Sequence, residues 1–182
     1  MEESLGSKRT MPKATREIRK TVFGFGEGET ENIFLKHLRS LYSAGKTHVT
    51  IDHAGGKAVT YILAKANRIR SFNSYNHSFI LLDSIPTWPS ASLDFARKNN
   101  FELIGSEPCI EAIFLKILTP AIDLNGSNSQ ACKRRFCDKH LNGRRLISDS
   151  ECKRLFLKSR LDSARTQILR LDRVIQIIEG AF

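Results

Sequence analysis

Three carboxylates in this chain stand where side chains can do chemistry. Glu27 lies in Gly26-Glu27-Gly28-Glu29-Thr30-Glu31, a Gly-rich turn after a short apolar stretch. The glycines invite comparison with a dinucleotide-binding loop. That comparison fails, because Glu29 stands where the third glycine would fall and three carboxylates would repel a pyrophosphate. Clustered carboxylates at a strand-to-helix turn instead suit a hard cation such as Mg²⁺, whose ligands are oxygens. Glu27 can alternatively act as a general acid or base. Glu29 and Glu31 read as complements to the positive end of the following helix. Asp83 closes the most apolar run of the chain, Ser78-Phe79-Ile80-Leu81-Leu82-Asp83. A carboxylate there is costly unless it is exposed at a sheet edge or bound to something; the plain alternative is a cap or turn Asp. One cation held by Glu27 and Asp83 together would account for both, provided their strands are neighbours. Glu111, in Ser106-Glu107-Pro108-Cys109-Ile110-Glu111, is a third catalytic candidate in the first turn of a helix, or again a dipole complement. Asp52 and His53 can line the same cleft, and Lys57, after Gly55-Gly56, can reach a phosphate.

The elements that must position these residues alternate. Thr21 to Gly26, His48 to His53, Ser78 to Asp83 and Phe101 to Gly105 read as strands. Between and after them, residues 29–42, 59–69, 90–99 and 110–118 read as helices. In the first helix Ile33, Phe34, His37, Leu38 and Leu41 share one face. The Ser78–Asp83 run is apolar on both faces, as in a strand covered on both sides. The order predicts an α/β fold with a mostly parallel four-stranded sheet flanked by helices. Ligands of such sheets sit outside the carboxyl ends of the strands, where Glu27 and Asp83 fall. Beyond the Asp123–Gln130 loop the pattern is purely helical. Three parts follow: a mobile basic arm over 1–18, an α/β core over 19–122 and a basic helical extension over 123–182.

Charge separates these parts. The 182 residues carry a net charge of +10. Residues 21–130 hold ten basic and ten acidic residues, whereas residues 131–182 hold thirteen basic against six acidic. That excess at one end is the footprint of a polyanion binder, or else of a solvated basic face or a dock for an acidic protein. Lys133, Arg134, Arg135, Lys139, Arg144, Arg145, Lys153 and Arg154 form the densest run and are the expected nucleic-acid contacts. Only Phe136 and Phe156 accompany them, so no base-stacking platform is evident. No apolar run approaches the roughly 18 residues needed to cross a bilayer, and the first twenty residues lack a signal-type apolar segment. A cytoplasmic chain with free thiols is expected. Cys132, Cys137, His140 and Cys152 match no common zinc spacing, and three of them splay around a single helix. An apolar stripe of Leu161, Ile168, Leu171 and Ile175 packs on the chain's own sheet or serves a homo-oligomer.

EGETE at 27–31, a strand ending in Asp83 and SEPCIE at 106–111 together resemble the RloB-like family, over roughly residues 20–145. That family has a Toprim-type catalytic fold and is associated with phage defence by abortive infection. The resemblance implies a Toprim-like core and metal-dependent phosphodiester hydrolysis on DNA or RNA. It matches Glu27 to the Toprim Glu and Asp83 to the first Asp of Asp-x-Asp, with Mg²⁺ or Mn²⁺ held between them. Nucleic acid is the implied partner, and a partner ATPase is admitted. Residues 83–85 here read Asp-Ser-Ile, so Ile85 stands where the pattern has its second Asp. Either Ser84, Glu111 or Asp52 supplies the missing oxygen, or the chain is a degenerate module that binds nucleic acid or a partner protein without cleaving.

Overall fold

The computed structural model describes residues 19–83 and 88–182. The arm expected over 1–18 lies outside the described residues, as do Ser84 and Ile85. The chain is an α/β protein with a four-stranded sheet, β1 (Lys20–Gly26), β2 (Thr47–His53), β3 (His77–Asp83) and β4 (Glu102–Ser106). All neighbouring strands run parallel, in the order β2-β1-β3-β4. Helices α1 (Glu29–Tyr42), α2 (Val59–Arg70), α3 (Ser90–Lys98) and α4 (Ile110–Leu118) follow the strands in turn. Helices α5 (Ser129–His140), α6 (Asp149–Leu155), α7 (Lys158–Arg165) and α8 (Leu169–Glu179) complete the chain.

The sheet is covered on both faces, which is why β3 has no polar face. Phe79 and Leu81 pack into one core; Ile80 and Leu82 pack into the other. The smaller core lies under α2 and α3, with Phe23 and Phe25 from β1. The larger lies under α1 and α4 and takes in residues of α5 through α8. At its centre Phe34, Phe114, Phe136 and Phe156 meet with ring centroids 4.7–5.3 Å apart. Leu161, Leu171 and Ile175 are buried in this same core, with Ile168 packed against it, so the stripe of the last helices is spent within the chain. Among the described residues, no helix is long and apolar enough to cross a membrane.

Two glycines of β1 let neighbours close in. A Cβ on Gly24 would lie 2.7 Å from Ile51 Cδ1 and 2.8 Å from the Phe79 ring. A Cβ on Gly26 would lie 2.8 Å from Glu31 Cβ and 3.2 Å from the Asn32 backbone nitrogen. A side chain at Gly26 would push the first turn of α1 off the strand end, and one at Gly24 would displace Ile51 and Phe79 from the neighbouring strands.

Candidate functional site at the carboxyl ends of the strands

β1 and β3 are neighbours, so the turn after β1 and the end of β3 meet. The Glu27 amide donates to Leu81 O at 3.1 Å, extending the ladder one residue past the strand. On the other side Ala54 N donates to Gly26 O and Gly56 N donates to Glu27 O. The turn is thus pinned to both neighbouring strands, and Glu27 is aimed across to β3. Its Oε2 accepts from the Asp83 amide at 3.0 Å. The Glu27 carboxylate thus rests on the Asp83 backbone, near enough for the charge of Asp83 to act on it.

Asp83 is fixed by three donors from three further elements, β4, α4 and α5. Oδ1 accepts from the Ile110 amide, at the first turn of α4, at 3.1 Å. Ser106 Oγ at the end of β4 lies 3.1 Å from Asp83 Oδ1 and 3.0 Å from Leu82 O, and shares its one proton between them. Oδ2 pairs with Lys133 Nζ of α5 at 3.0 Å. The residues of the SEPCIE segment therefore hold Asp83 as well as contribute Glu111.

Glu111 is 7% exposed, and its Oε2 is a buried oxygen with no hydrogen-bond partner among the described residues. Such an atom bears the desolvation cost of a polar group without recompense. Burial raises the Glu111 pKa, and the charge of Asp83 adds to the rise against the pull of Lys133. Glu27 is also raised, first by burial and then by the charges of Asp83 and Glu111, against the Asp83 amide and Lys133.

Glu31 belongs to the same cluster, beyond the dipole role read from sequence. It is 5% exposed. Burial, with the charge of Asp83 next, pushes its pKa up to about 7. Its Oε2 accepts from the Gly28 amide at 2.8 Å. A signal for this was present: a Glu three residues after the helix cap turns its carboxylate back over the helix start. Here that start is the turn bearing Glu27. The pairing of Lys133 with Asp83 had no signal in the sequence, because it depends on how α5 lies across α4.

The remaining basic candidates divide. Arg134, Arg135 and Lys139 are exposed on α5 around a shallow depression that also includes Ala131 and Asp138. Arg145, Lys153 and Arg154 are exposed, and no described carboxylate pairs with them. Arg144 is committed to Glu151, whose other oxygen bonds the Ser148 cap of α6. Phe136 and Phe156 are buried, so neither ring is available to a base. His53 pairs instead with Glu29 at 2.8 Å and lies 3.8 Å from Asp52. Lys57 is exposed in the loop before α2.

Whether a divalent cation fits can be asked of the donors. Among the described residues, no group of three or more His, Cys, Asp or Glu side chains is placed to hold a metal ion. Two oxygens that would serve are engaged, Glu27 Oε2 by the Asp83 amide and Asp83 Oδ2 by Lys133. The donor set is nonetheless all oxygen, and four carboxylates face one ammonium. The orphaned Glu111 oxygen has no hydrogen-bond donor among the described residues. A small hard cation suits this excess of buried negative charge. In comparisons with known proteins, the chain matches no family model, no curated protein and no solved structure.

Proposed function

We propose that the chain is a Mg²⁺- or Mn²⁺-dependent nuclease of the RloB/Toprim type, hydrolysing phosphodiesters in DNA or RNA as part of antiphage defence. The observation that carries this reading is the cluster formed by Glu27 after β1, Asp83 at the end of β3 and Glu111 in the first turn of α4, whose charges bear on one another, with one buried Glu111 oxygen left without a hydrogen-bond partner among the described residues. Glu27, Asp83 and Glu111 would hold the ion, with Glu31 adjoining. Bound there, it would neutralise phosphoryl charge and make water a better nucleophile near neutral pH. Glu27, its pKa raised by burial, is suited to accept and return a proton at its carboxylate. The amide of Ile110 and the Ser106 hydroxyl keep Asp83 in one orientation. Arg134, Arg135 and Lys139 would hold the substrate through its phosphates, an interaction that gives affinity without reading sequence.

A second reading rests on a different ion pair. Lys133 already neutralises Asp83, as a fixed ammonium would in a module that binds nucleic acid or a partner protein and does not cleave. Plasmid, tRNA and single strands incubated with Mg²⁺, Mn²⁺ or EDTA separate the two. The nuclease reading expects metal-dependent cleavage that Glu27→Gln abolishes, since the amide keeps the bond from Asp83 but loses the charge. Binding without cleavage under every metal condition would leave only the second reading.

A further inference from the structure

Lys133 begins a run of basic residues, Lys133-Arg134-Arg135, on α5. All three are exposed, the Lys133 side chain at 48%, but the Lys133 ammonium alone reaches back to Asp83 Oδ2 at 3.0 Å. The Asp83 side chain is only 17% exposed. The same ammonium bears on Glu27 and Glu111, lowering both against their burial. Burial opposes the charge of Lys133 itself, but attraction to Asp83 and then Glu111 more than offsets this and holds it protonated. Asp83 Oδ1 is satisfied by Ser106 and Ile110, so Oδ2 is the oxygen left to bind a cation. An ammonium and a divalent ion on that one oxygen would repel each other in a half-buried site.

We propose that Lys133 is the internal counter-ion of the carboxylate cluster, displaced when a divalent cation binds, so that its charge sets the metal affinity of the site. This rests on the reading of the cluster as a metal site and deepens it. Lys133 is then a positioning residue: it keeps the carboxylates together before the ion arrives and competes with the ion afterwards.

Mn²⁺ titration of the full chain, by calorimetry and by the loss of the free-ion electron paramagnetic resonance signal, tests this without substrate. Lys133→Met should bind Mn²⁺ on the order of tenfold more tightly than the unaltered chain. Lys133→Gln should do the same, since it too lacks the charge, and Lys133→Arg should restore the weaker binding. Lys98→Met removes an equal charge at the other end of the strands, on the exposed last residue of α3, and should change nothing. A neutral variant that binds Mn²⁺ no more tightly than the unaltered chain overturns the counter-ion role alone. Absence of Mn²⁺ binding in the unaltered chain and in both neutral variants overturns the metal-site reading beneath it.

Discussion

Glu31 makes the stability of this protein depend on pH in a direction opposite to that of most carboxylates. Its pKa rises from an ordinary 4.5 to about 7 on folding, through burial and the charge of Asp83. Below pH 4.5 the side chain is protonated whether the chain is folded or not, and nothing is lost. Between 4.5 and 7 the unfolded chain sheds this proton while the folded one retains it, so unfolding becomes progressively easier. Above 7 the full penalty is present. At about 1.4 kcal/mol per pH unit, that interval amounts to about 3 kcal/mol. Glu31→Gln removes the ionisation and leaves an amide oxygen able to accept from Gly28. The variant should therefore gain about 3 kcal/mol on the unaltered protein between pH 4.5 and pH 8. Urea unfolding of both proteins in EDTA, at four pH values across that range, measures it. A difference that stays constant with pH, or that moves against the variant as pH rises, would refute the placement of Glu31 as a buried, charge-repelled carboxylate.

Other outcomes follow from the same geometry. Mn²⁺ affinity should climb as pH rises toward 7, because Glu27 and Glu111, both raised, must lose protons to bind and the adjoining Glu31, raised to about 7, adds its charge over the same rise, and calorimetry in two buffers of different ionisation heat should detect the released protons. Gly26→Ala places a Cβ 2.8 Å from Glu31 Cβ, and should cost about 1–3 kcal/mol in urea unfolding while lowering Mn²⁺ affinity. Replacing Arg134, Arg135 and Lys139 together by Ala should weaken nucleic-acid binding equally for unrelated sequences. It should also flatten the plot of log affinity against log salt by roughly 0.7–0.9 for each phosphate that the variant leaves unneutralised, measured by fluorescence anisotropy.

The alternating pattern of strands and helices is legible because each element carries its own signal. The 29–42 helix has a clear apolar face, and β3 is apolar without interruption because helices cover both its faces. Boundaries agree within a residue or two; β1 begins at Lys20 and β4 extends to Ser106. The site is legible where a carboxylate interrupts an apolar run, as at Asp83, or sits between glycines, as at Glu27. Strand order is not, since it depends on crossovers that no local pattern encodes; β1 beside β3 is what turns two separated residues into one cluster. In sequence Glu31 shows only its place at a helix start, and its burial follows from the close approach that Gly26 permits. By composition Lys133 groups with its basic neighbours, whereas the way α5 lies across α4 brings its ammonium within reach of Asp83.

The most direct test of the central claim is a crystal of the protein grown with Mn²⁺ and measured at a wavelength where manganese scatters anomalously. The account predicts one anomalous peak bound by carboxylate oxygens of Glu27, Asp83 and Glu111, with the Lys133 ammonium moved away from Asp83. Anomalous density confined to other parts of the surface, with Lys133 still paired to Asp83 at saturating Mn²⁺, would contradict it.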